Sequence, residues 1–170
     1  MGGRVPMSRL AAAAGSLAWF VLAPGLVAGV VPWLLTGWDA NDMPGALRAL
    51  GVVLIVAGAV VMIQAFARFV VEGLGTPAPA APPERLVVGG LYRYVRNPMY
   101  VALLATITGQ ALLLGRASLV VYAAVVWAVA FAFVRGYEEP ALRRRFGTEY
   151  DSYRRAVPGW LPRPRPWDPR

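Results

Sequence analysis

Long apolar segments constrain this chain more than any other feature. The run from Val101 to Val134 contains a single charged residue, Arg116, and earlier apolar runs cover residues 11–35 and 47–66. A helix that crosses a membrane needs about 20 mostly apolar residues. A chain of 170 residues that is 58% hydrophobic is too short to bury several such helices on all faces in a soluble core. We therefore predict an all-α, polytopic integral membrane protein.

The apolar runs predict four transmembrane helices in a single membrane domain, residues 1–170. The predicted spans are about 11–35, 47–68, 98–114 and 118–135, with a loop at 70–97 and a C-terminal region at 136–170. Pro24 predicts a kink in the first span, because proline removes a helix hydrogen bond. The loop includes the proline-rich stretch Thr76–Pro83, which we predict to be extended.

The C-terminal region has the spacing of an amphipathic helix. Its aromatic and aliphatic residues recur every three or four positions, at Leu142, Phe146, Tyr150, Tyr153 and Val157. Gly147 is a candidate break between two shorter helices. We predict a helix, or a helix pair, at the cytoplasmic membrane surface.

The arginines predict the orientation of the four spans. The net charge is +8 and every basic residue is an arginine; fifteen of the seventeen fall on one side, and only Arg48 and Arg116 fall on the other. Basic residues accumulate on the cytoplasmic side of membrane proteins. We expect an integral protein of a bacterial inner membrane with both termini cytoplasmic. Because the arginines flank apolar segments, the charge does not indicate a nucleic-acid partner.

The absence of two residue types limits the chemistry that this chain can perform. It contains no cysteine and no histidine. This excludes thiol nucleophiles, histidine-based triads and the usual structural zinc sites, and we expect no metal. Without histidine or lysine, a glutamate or a tyrosine is the remaining candidate for a general base.

A polar, aromatic segment, Gly90–Tyr100, directly precedes the third span. Its sequence is GLYRYVRNPMY. Pro98 suits the first turn of a helix and Asn97 the N-cap position. The free N–H groups of that helix start would favour a ligand carboxylate. The alternative is a basic membrane anchor with interfacial tyrosines.

Two adjacent acidic residues, Glu138 and Glu139, follow the fourth span. A helical hairpin of the third and fourth spans would bring them to the same membrane surface as Gly90–Tyr100. Neighbouring helical residues point about 100° apart, so one carboxylate can face a ligand while the other contacts an arginine. The alternative is that they only form salt bridges, with arginines such as Arg135, Arg143 or Arg93. Carboxylates here suit a ligand with an ammonium group or ribose hydroxyls, and S-adenosyl-L-methionine is such a ligand.

Both clusters resemble motifs of one superfamily. Gly90–Tyr100 resembles the Arg-His/Asn-Pro-x-Tyr motif of the isoprenylcysteine carboxyl methyltransferase and phospholipid methyltransferase superfamily. Glu138–Tyr153 resembles its second motif, Glu-Glu-x-x-Leu followed by Phe-Gly-x-x-Tyr-x-x-Tyr. The resemblance covers about residues 86–162. It implies a membrane methyltransferase that uses S-adenosyl-L-methionine.

The resemblance also implies roles for individual residues. The cofactor site would include Tyr94, Arg96, Asn97, Pro98, Tyr100, Glu138 and Glu139. Arg96 and the two glutamates would also have catalytic roles. The residues near the acceptor substrate would be Tyr150, Tyr153 and Arg154. Asn97 stands where better-known members have histidine, so a role that needs a titrating imidazole does not transfer.

The acceptor is the least constrained part of this prediction. A carboxylate acceptor is already ionised at neutral pH, whereas an amine must first lose a proton. The shortage of bases therefore favours a lipophilic, isoprenylcysteine-like carboxylate. Two alternatives stay open: a lipid amine N-methyltransferase with a glutamate as base, and a non-catalytic membrane scaffold that keeps the fold.

Overall fold

The computed structural model describes residues 18, 22–68, 71–72 and 85–168, and its regular structure in those ranges is helical, without strands. The helices are α1 (Leu22–Thr36), α2 (Gly45–Arg68), α3 (Pro98–Leu114), α4 (Ala117–Phe133) and α5 (Glu139–Ala156). The all-α prediction is confirmed. The part of the first predicted span that precedes Leu22 lies outside the described residues, except for residue 18. The whole proline-rich stretch also lies outside them.

Two of the described helices are long and apolar enough to cross a membrane. They are α2 and the continuous helix Ala117–Ala156, which contains α4 and α5. The described part of α1 and α3 are apolar but shorter. The structure therefore supports two candidate spans by length and composition, and the prediction of four spans is not established.

Helices α2 and α3 approach each other through glycines. A Cβ atom on Gly51 would lie 2.6 Å from the carbonyl oxygen of Gly109, and a Cβ atom on Gly109 would lie 2.6 Å from the carbonyl oxygen of Gly51. Two helical turns further along α2, Gly58 makes the same kind of close approach to Ala102 and Thr106 on α3. Only glycine lets the two backbones come this close, which is how small residues serve membrane helices.

Helix α1 is held by polar side chains that compensate for a local break in its hydrogen bonds. The helix passes through a π-turn at Leu26–Val30, after Pro24, where we predicted a kink. Pro32 has no N–H to donate to the carbonyl of Ala28, and the Nε2 of Gln110 on α3 donates to that oxygen at 2.7 Å. The hydroxyl of Tyr122, on α4, donates to the carbonyl oxygen of Val27 at 2.8 Å. Apolar surroundings require such replacement donors.

The α3–α4 hairpin separates two ends of the molecule. At one end, the α3–α4 turn contacts the loop between α1 and α2: the Asn41 N–H donates to Leu114 O at 2.8 Å, and Arg116 Nε donates to Asp39 O at 2.9 Å. At the other end lie the start of α3, the end of α4 and α5. The hairpin thus brings Gly90–Tyr100 and the glutamate pair to the same end, as we predicted.

Helix α5 has the predicted break and a different environment from the one predicted. Gly147 has φ +52° and ψ −125°, so it interrupts the helix in a conformation that suits glycine. The apolar face on either side of it is packed against protein, notably Leu86, Val88 and Trp167. The sequence predicts that this face lies at the membrane surface. Instead, Tyr150 and the residues beside it are covered by the segment before α3 and by the C-terminal tail.

The α2–α3 contact generates a prediction with a matched control on the same helix. We expect Gly51→Ala to lower the thermal unfolding temperature in detergent, because the added methyl group must displace the α3 backbone; overpacking typically costs about 1–3 kcal/mol. Gly45→Ala, where nothing lies within 4 Å of the new Cβ atom, should not lower it. Equal unfolding temperatures for the two variants would contradict the close approach.

Candidate functional site

Arg96 connects the segment before α3 to α5 and to the tail. Its Nη1 donates to Glu139 Oε1 at 2.8 Å and to the Tyr150 hydroxyl at 3.1 Å, while its Nε donates to Val157 O at 2.9 Å. The Arg96 and Glu139 side chains are 13% and 10% exposed. A buried ion pair is tolerated only when such additional hydrogen bonds satisfy both partners.

Glu139 is surrounded by more than one cation. Besides Arg96, the Nη2 of Arg154 lies 3.3 Å from Glu139 Oε2, and the Nη1 of Arg135 lies 3.9 Å from the same oxygen. Of the salt bridges that we considered for the glutamates, the one to Arg135 is present. Arg143 instead pairs with Asp151. Three guanidinium groups therefore share one carboxylate, and the cluster carries a positive excess.

Glu138 points away from that ion pair and contacts α3. Its Oε1 accepts a hydrogen bond from the Tyr100 hydroxyl at 2.9 Å. Burial raises the pKa of Glu138; the hydrogen bond from Tyr100 lowers it and the neighbouring Glu139 charge raises it. A π-turn at Val134–Glu138 joins α4 to α5 and presents the two glutamates in different directions. Glu139 is thus the glutamate that contacts arginines, and Glu138 is left as the one predicted to face a ligand.

The start of α3 has one buried side-chain donor without a partner. Asn97 is the N-cap residue and Pro98 occupies the first helical position, as we predicted, but the Asn97 side chain makes no capping bond. Its backbone N–H donates to Gly159 O at 3.2 Å. Among the described residues, the buried Nδ2 of Asn97 has no hydrogen-bond partner. An unpaired donor beside a helix N-terminus fits an anionic ligand oxygen.

The C-terminal tail runs beside the Arg96 segment and pairs with it. The Arg96 N–H donates to Pro158 O at 2.9 Å, and the Arg163 N–H donates to Tyr94 O at 3.0 Å. As far as residue 168, where the described residues end, the tail forms no helix, yet it packs against this end of the molecule. Tyr94, a predicted cofactor residue, contributes its backbone carbonyl to this pairing.

The tail brings Trp160 between the start of α3 and the end of α4. Its ring centroid lies 6.1 Å from that of Tyr100 and 6.0 Å from that of Phe131. Sequence inspection missed this residue, because no spacing rule relates it to partners so distant along the chain. Its only signal is an aromatic residue directly after the Pro158-Gly159 pair.

The residues that we predicted near the acceptor differ in their surroundings. Tyr150 and Tyr153 are buried; Tyr150 contacts Arg96, and the Tyr153 hydroxyl donates to Tyr92 O at 2.7 Å. These hydroxyls hold the Arg96 segment in place. Arg154 is partly exposed and lies on Glu139. Of the three, Arg154 has the access that an acceptor would need.

Comparisons with known proteins agree with the two motifs. A family model described as phospholipid methyltransferase matches residues 46–149, from α2 into α5. Protein-S-isoprenylcysteine O-methyltransferase from Schizosaccharomyces pombe is 37% identical over 78 residues, which is 45% of this chain and 33% of that protein. The match thus spans about a third of the length of this curated relative. Tyr150, Tyr153 and Arg154 lie just beyond the family match.

The buried Arg96–Glu139 pair generates a stability prediction. We expect Glu139→Ala to lower the free energy of unfolding by about 3–5 kcal/mol, because it leaves a buried guanidinium without its counter-charge. Arg143→Ala, which breaks the more exposed pair with Asp151, should cost about 1 kcal/mol or less. Denaturant titration in detergent measures both. Similar losses for the two variants would show that the Arg96 pair is no more important than a surface pair.

The raised pKa of Glu138 generates a prediction about pH. A raised pKa means that the folded chain holds this proton more tightly than the unfolded chain. Its contribution to stability is therefore complete below the ordinary glutamate pKa and is lost as the pH rises through the raised value. Glu138→Gln still accepts the Tyr100 hydrogen bond but does not titrate. The stability of this variant relative to wild type should increase as the pH rises through that window; a constant difference would contradict the shift.

Proposed function

This chain belongs to the phospholipid methyltransferase family, and on that premise we propose that it is an S-adenosyl-L-methionine-dependent membrane methyltransferase acting on a lipophilic carboxylate. The observation that carries the proposal is the direct contact of the two motif clusters. Arg96 contacts Glu139 and Tyr100 contacts Glu138, although each pair is far apart in sequence. These two contacts support our proposal that the residues singled out by the family resemblance belong to one site.

The donors and acceptors at this site match the polar groups of the proposed cofactor. Asn97 Nδ2 and the first N–H groups of α3 suit a carboxylate, and Glu138 suits an ammonium group or ribose hydroxyls. Pro98 occupies the first helical position and carries no N–H, so the backbone donors of this helix start belong to the residues that follow it. We propose that Tyr94 and Tyr100 line the same site.

Arg96 and Glu139 act in this proposal mainly by positioning. Both are engaged by protein partners, so Arg96 fixes the direction of Glu139 and the distance between α3 and α5. We propose that Glu139 borders the cofactor, with the catalytic contribution of all three charged residues being orientation rather than proton transfer.

Methyl transfer requires the protein mainly to position the methyl donor and the acceptor. When bound, S-adenosyl-L-methionine supplies an electrophilic methyl group carried on a positively charged sulfur. A carboxylate acceptor is already nucleophilic at neutral pH, so no residue has to remove a proton. We propose that the ring contact between Trp160 and Tyr100 closes the site on its apolar side and keeps water out.

Two findings favour the lipid amine alternative. The raised pKa of Glu138 makes its carboxylate a stronger base than an ordinary glutamate, and an amine acceptor needs a base. The matching family model also bears the name of a phospholipid methyltransferase. We keep this activity as the second candidate. For either acceptor we propose a site at the cytoplasmic membrane face, and the arginine distribution supports this side.

Cofactor binding and methyl transfer test the proposal together. We expect the detergent-solubilised protein to bind S-adenosylhomocysteine by calorimetry and to transfer a labelled methyl group to an S-isoprenylated N-acetylcysteine. Glu138→Ala should weaken cofactor binding by about tenfold or more, because a charge-assisted hydrogen bond is worth about 1.5–3 kcal/mol. Arg116→Ala, at the opposite end of the hairpin, should bind normally.

Each outcome decides between the candidates. Label found in phosphatidylethanolamine instead of the isoprenylated acid would select the amine activity. A folded protein that does not bind S-adenosylhomocysteine would refute both enzyme activities and leave the scaffold hypothesis. Normal binding by Glu138→Ala and Glu139→Ala would show that the site lies elsewhere.

A further inference from the structure

A glutamate just beyond the end of α2 contacts the residue that precedes Gly90–Tyr100. Glu72 Oε2 accepts a hydrogen bond from the Gly89 N–H at 2.9 Å, and Glu72 Oε1 accepts one from Arg68 Nη1 at 2.8 Å. Arg68 is the last residue of α2, four positions before Glu72, and the Glu72 side chain is 27% exposed. Each carboxylate oxygen has its own donor, so the direction of the Glu72 side chain is fixed.

Gly89 and Gly90 fit against this ion pair because neither residue has a Cβ atom. A Cβ atom on Gly89 would collide with the Glu72 carboxylate, and one on Gly90 would lie 2.7 Å from Arg68 Nε. Gly90 has φ +57°, which disfavours other residues, whereas Gly89 has φ −82°, which other residues adopt readily. At Gly89, the need for glycine therefore comes from the Glu72 carboxylate and not from the backbone conformation.

Gly89 begins the turn that leads to Arg96. The Gly89 carbonyl oxygen accepts the Tyr92 N–H at 3.1 Å, and a 3₁₀ turn spans Gly90–Arg93. Beyond this turn, the backbone groups of Tyr94 and Arg96 pair with the C-terminal tail. The tail thus holds the end of this segment, and Glu72 holds its beginning.

The contact of Glu72 lies close to the candidate site. Ala65 on α2 packs against Val87 and Tyr92, which lie on either side of Gly89 in the sequence. Burial is the main cause that raises the pKa of Tyr92, and the charges of Glu138 and Glu72 raise it further. A carboxylate of the site and the carboxylate of Glu72 therefore both lie within electrostatic reach of one hydroxyl group.

We propose that Glu72 is a positioning residue for the candidate cofactor site. By holding the Gly89 N–H, it sets the start of the turn from which Arg96 and Asn97 reach the site, and Arg68 keeps its carboxylate directed at Gly89. This inference rests on the proposed function, because the ligand concerned is S-adenosyl-L-methionine. It extends the site to the end of α2, which carries none of the residues that the two motifs single out.

Substitutions at Glu72 test this role through cofactor binding. We expect Glu72→Ala to weaken S-adenosylhomocysteine binding by about tenfold or more, the factor for loss of a charge-assisted hydrogen bond. Glu72→Gln should recover part of the loss, because its amide oxygen can still accept the Gly89 N–H. In turnover, Glu72→Ala should raise KM for S-adenosyl-L-methionine more than it lowers kcat. Asp42→Ala, at an exposed carboxylate in the loop between α1 and α2, is the control and should bind normally.

Gly89 provides a second test that depends on the geometry of the contact. Gly89→Ala displaces the Glu72 carboxylate, so it should cause the same loss of affinity as Glu72→Ala. Once Glu72 is replaced by alanine, the new methyl group no longer meets a carboxylate. The double variant should therefore bind no more weakly than Glu72→Ala alone, because the two changes remove one contact. Additive losses would overturn the inference.

Amide hydrogen exchange separates this inference from the proposed function, since it requires no cofactor. Glu72→Ala should speed exchange in residues 89–96 by about tenfold and leave residues 105–112 of α3 unchanged. Faster exchange in a protein that does not bind S-adenosylhomocysteine would refute the proposed function, while supporting the role of Glu72 in positioning the segment. Wild-type affinity in Glu72→Ala would overturn the inference and keep the proposed function. So would a lower unfolding temperature with unchanged affinity, because Glu72 would then only stabilise the fold.

Discussion

The end of the molecule that carries the candidate site depends on one buried ion pair, Arg96 with Glu139. Two charges removed from water are costly unless every remaining donor and acceptor is satisfied. Here Tyr150 and the carbonyl of Val157 complete the arginine, and Arg154 supports the carboxylate. These partners come from the segment before α3, from α5 and from the tail. Satisfying one pair of charges therefore fixes the relative positions of three parts of the chain.

The same need for satisfied polar groups explains the irregular parts of the helices. In α1, proline leaves carbonyl groups without donors, and Gln110 and Tyr122 supply them from α3 and α4. At the end of α4, the π-turn Val134–Glu138 adds a residue to the helical path and directs Glu138 to Tyr100. The first irregularity secures a helix, and the second orients a side chain at the candidate site.

Much of the fold follows from local rules that operate within a few residues. Asn97 and Pro98 mark the start of α3, and Gly147 marks the break in α5, because each residue type has a strong conformational preference. The meeting of the two motif clusters also follows from sequence, since a hairpin returns to the end where it began. The sequence does not predict what covers the apolar face of α5, because the residue pattern of that face is the same whether a membrane or Leu86 lies against it.

The sequence by itself determined the helical class, the main helix positions and the residue types available for chemistry, because apolar periodicity, proline and glycine act locally. It also pointed to the glutamates and to Arg96 through motif resemblance. Only the tertiary structure decided which carboxylate pairs with Arg96 and which with Tyr100, and only it brought Trp160 between α3 and α4. Those contacts join residues distant along the chain, and their geometry depends on how close glycine lets the helices approach and where the tail returns.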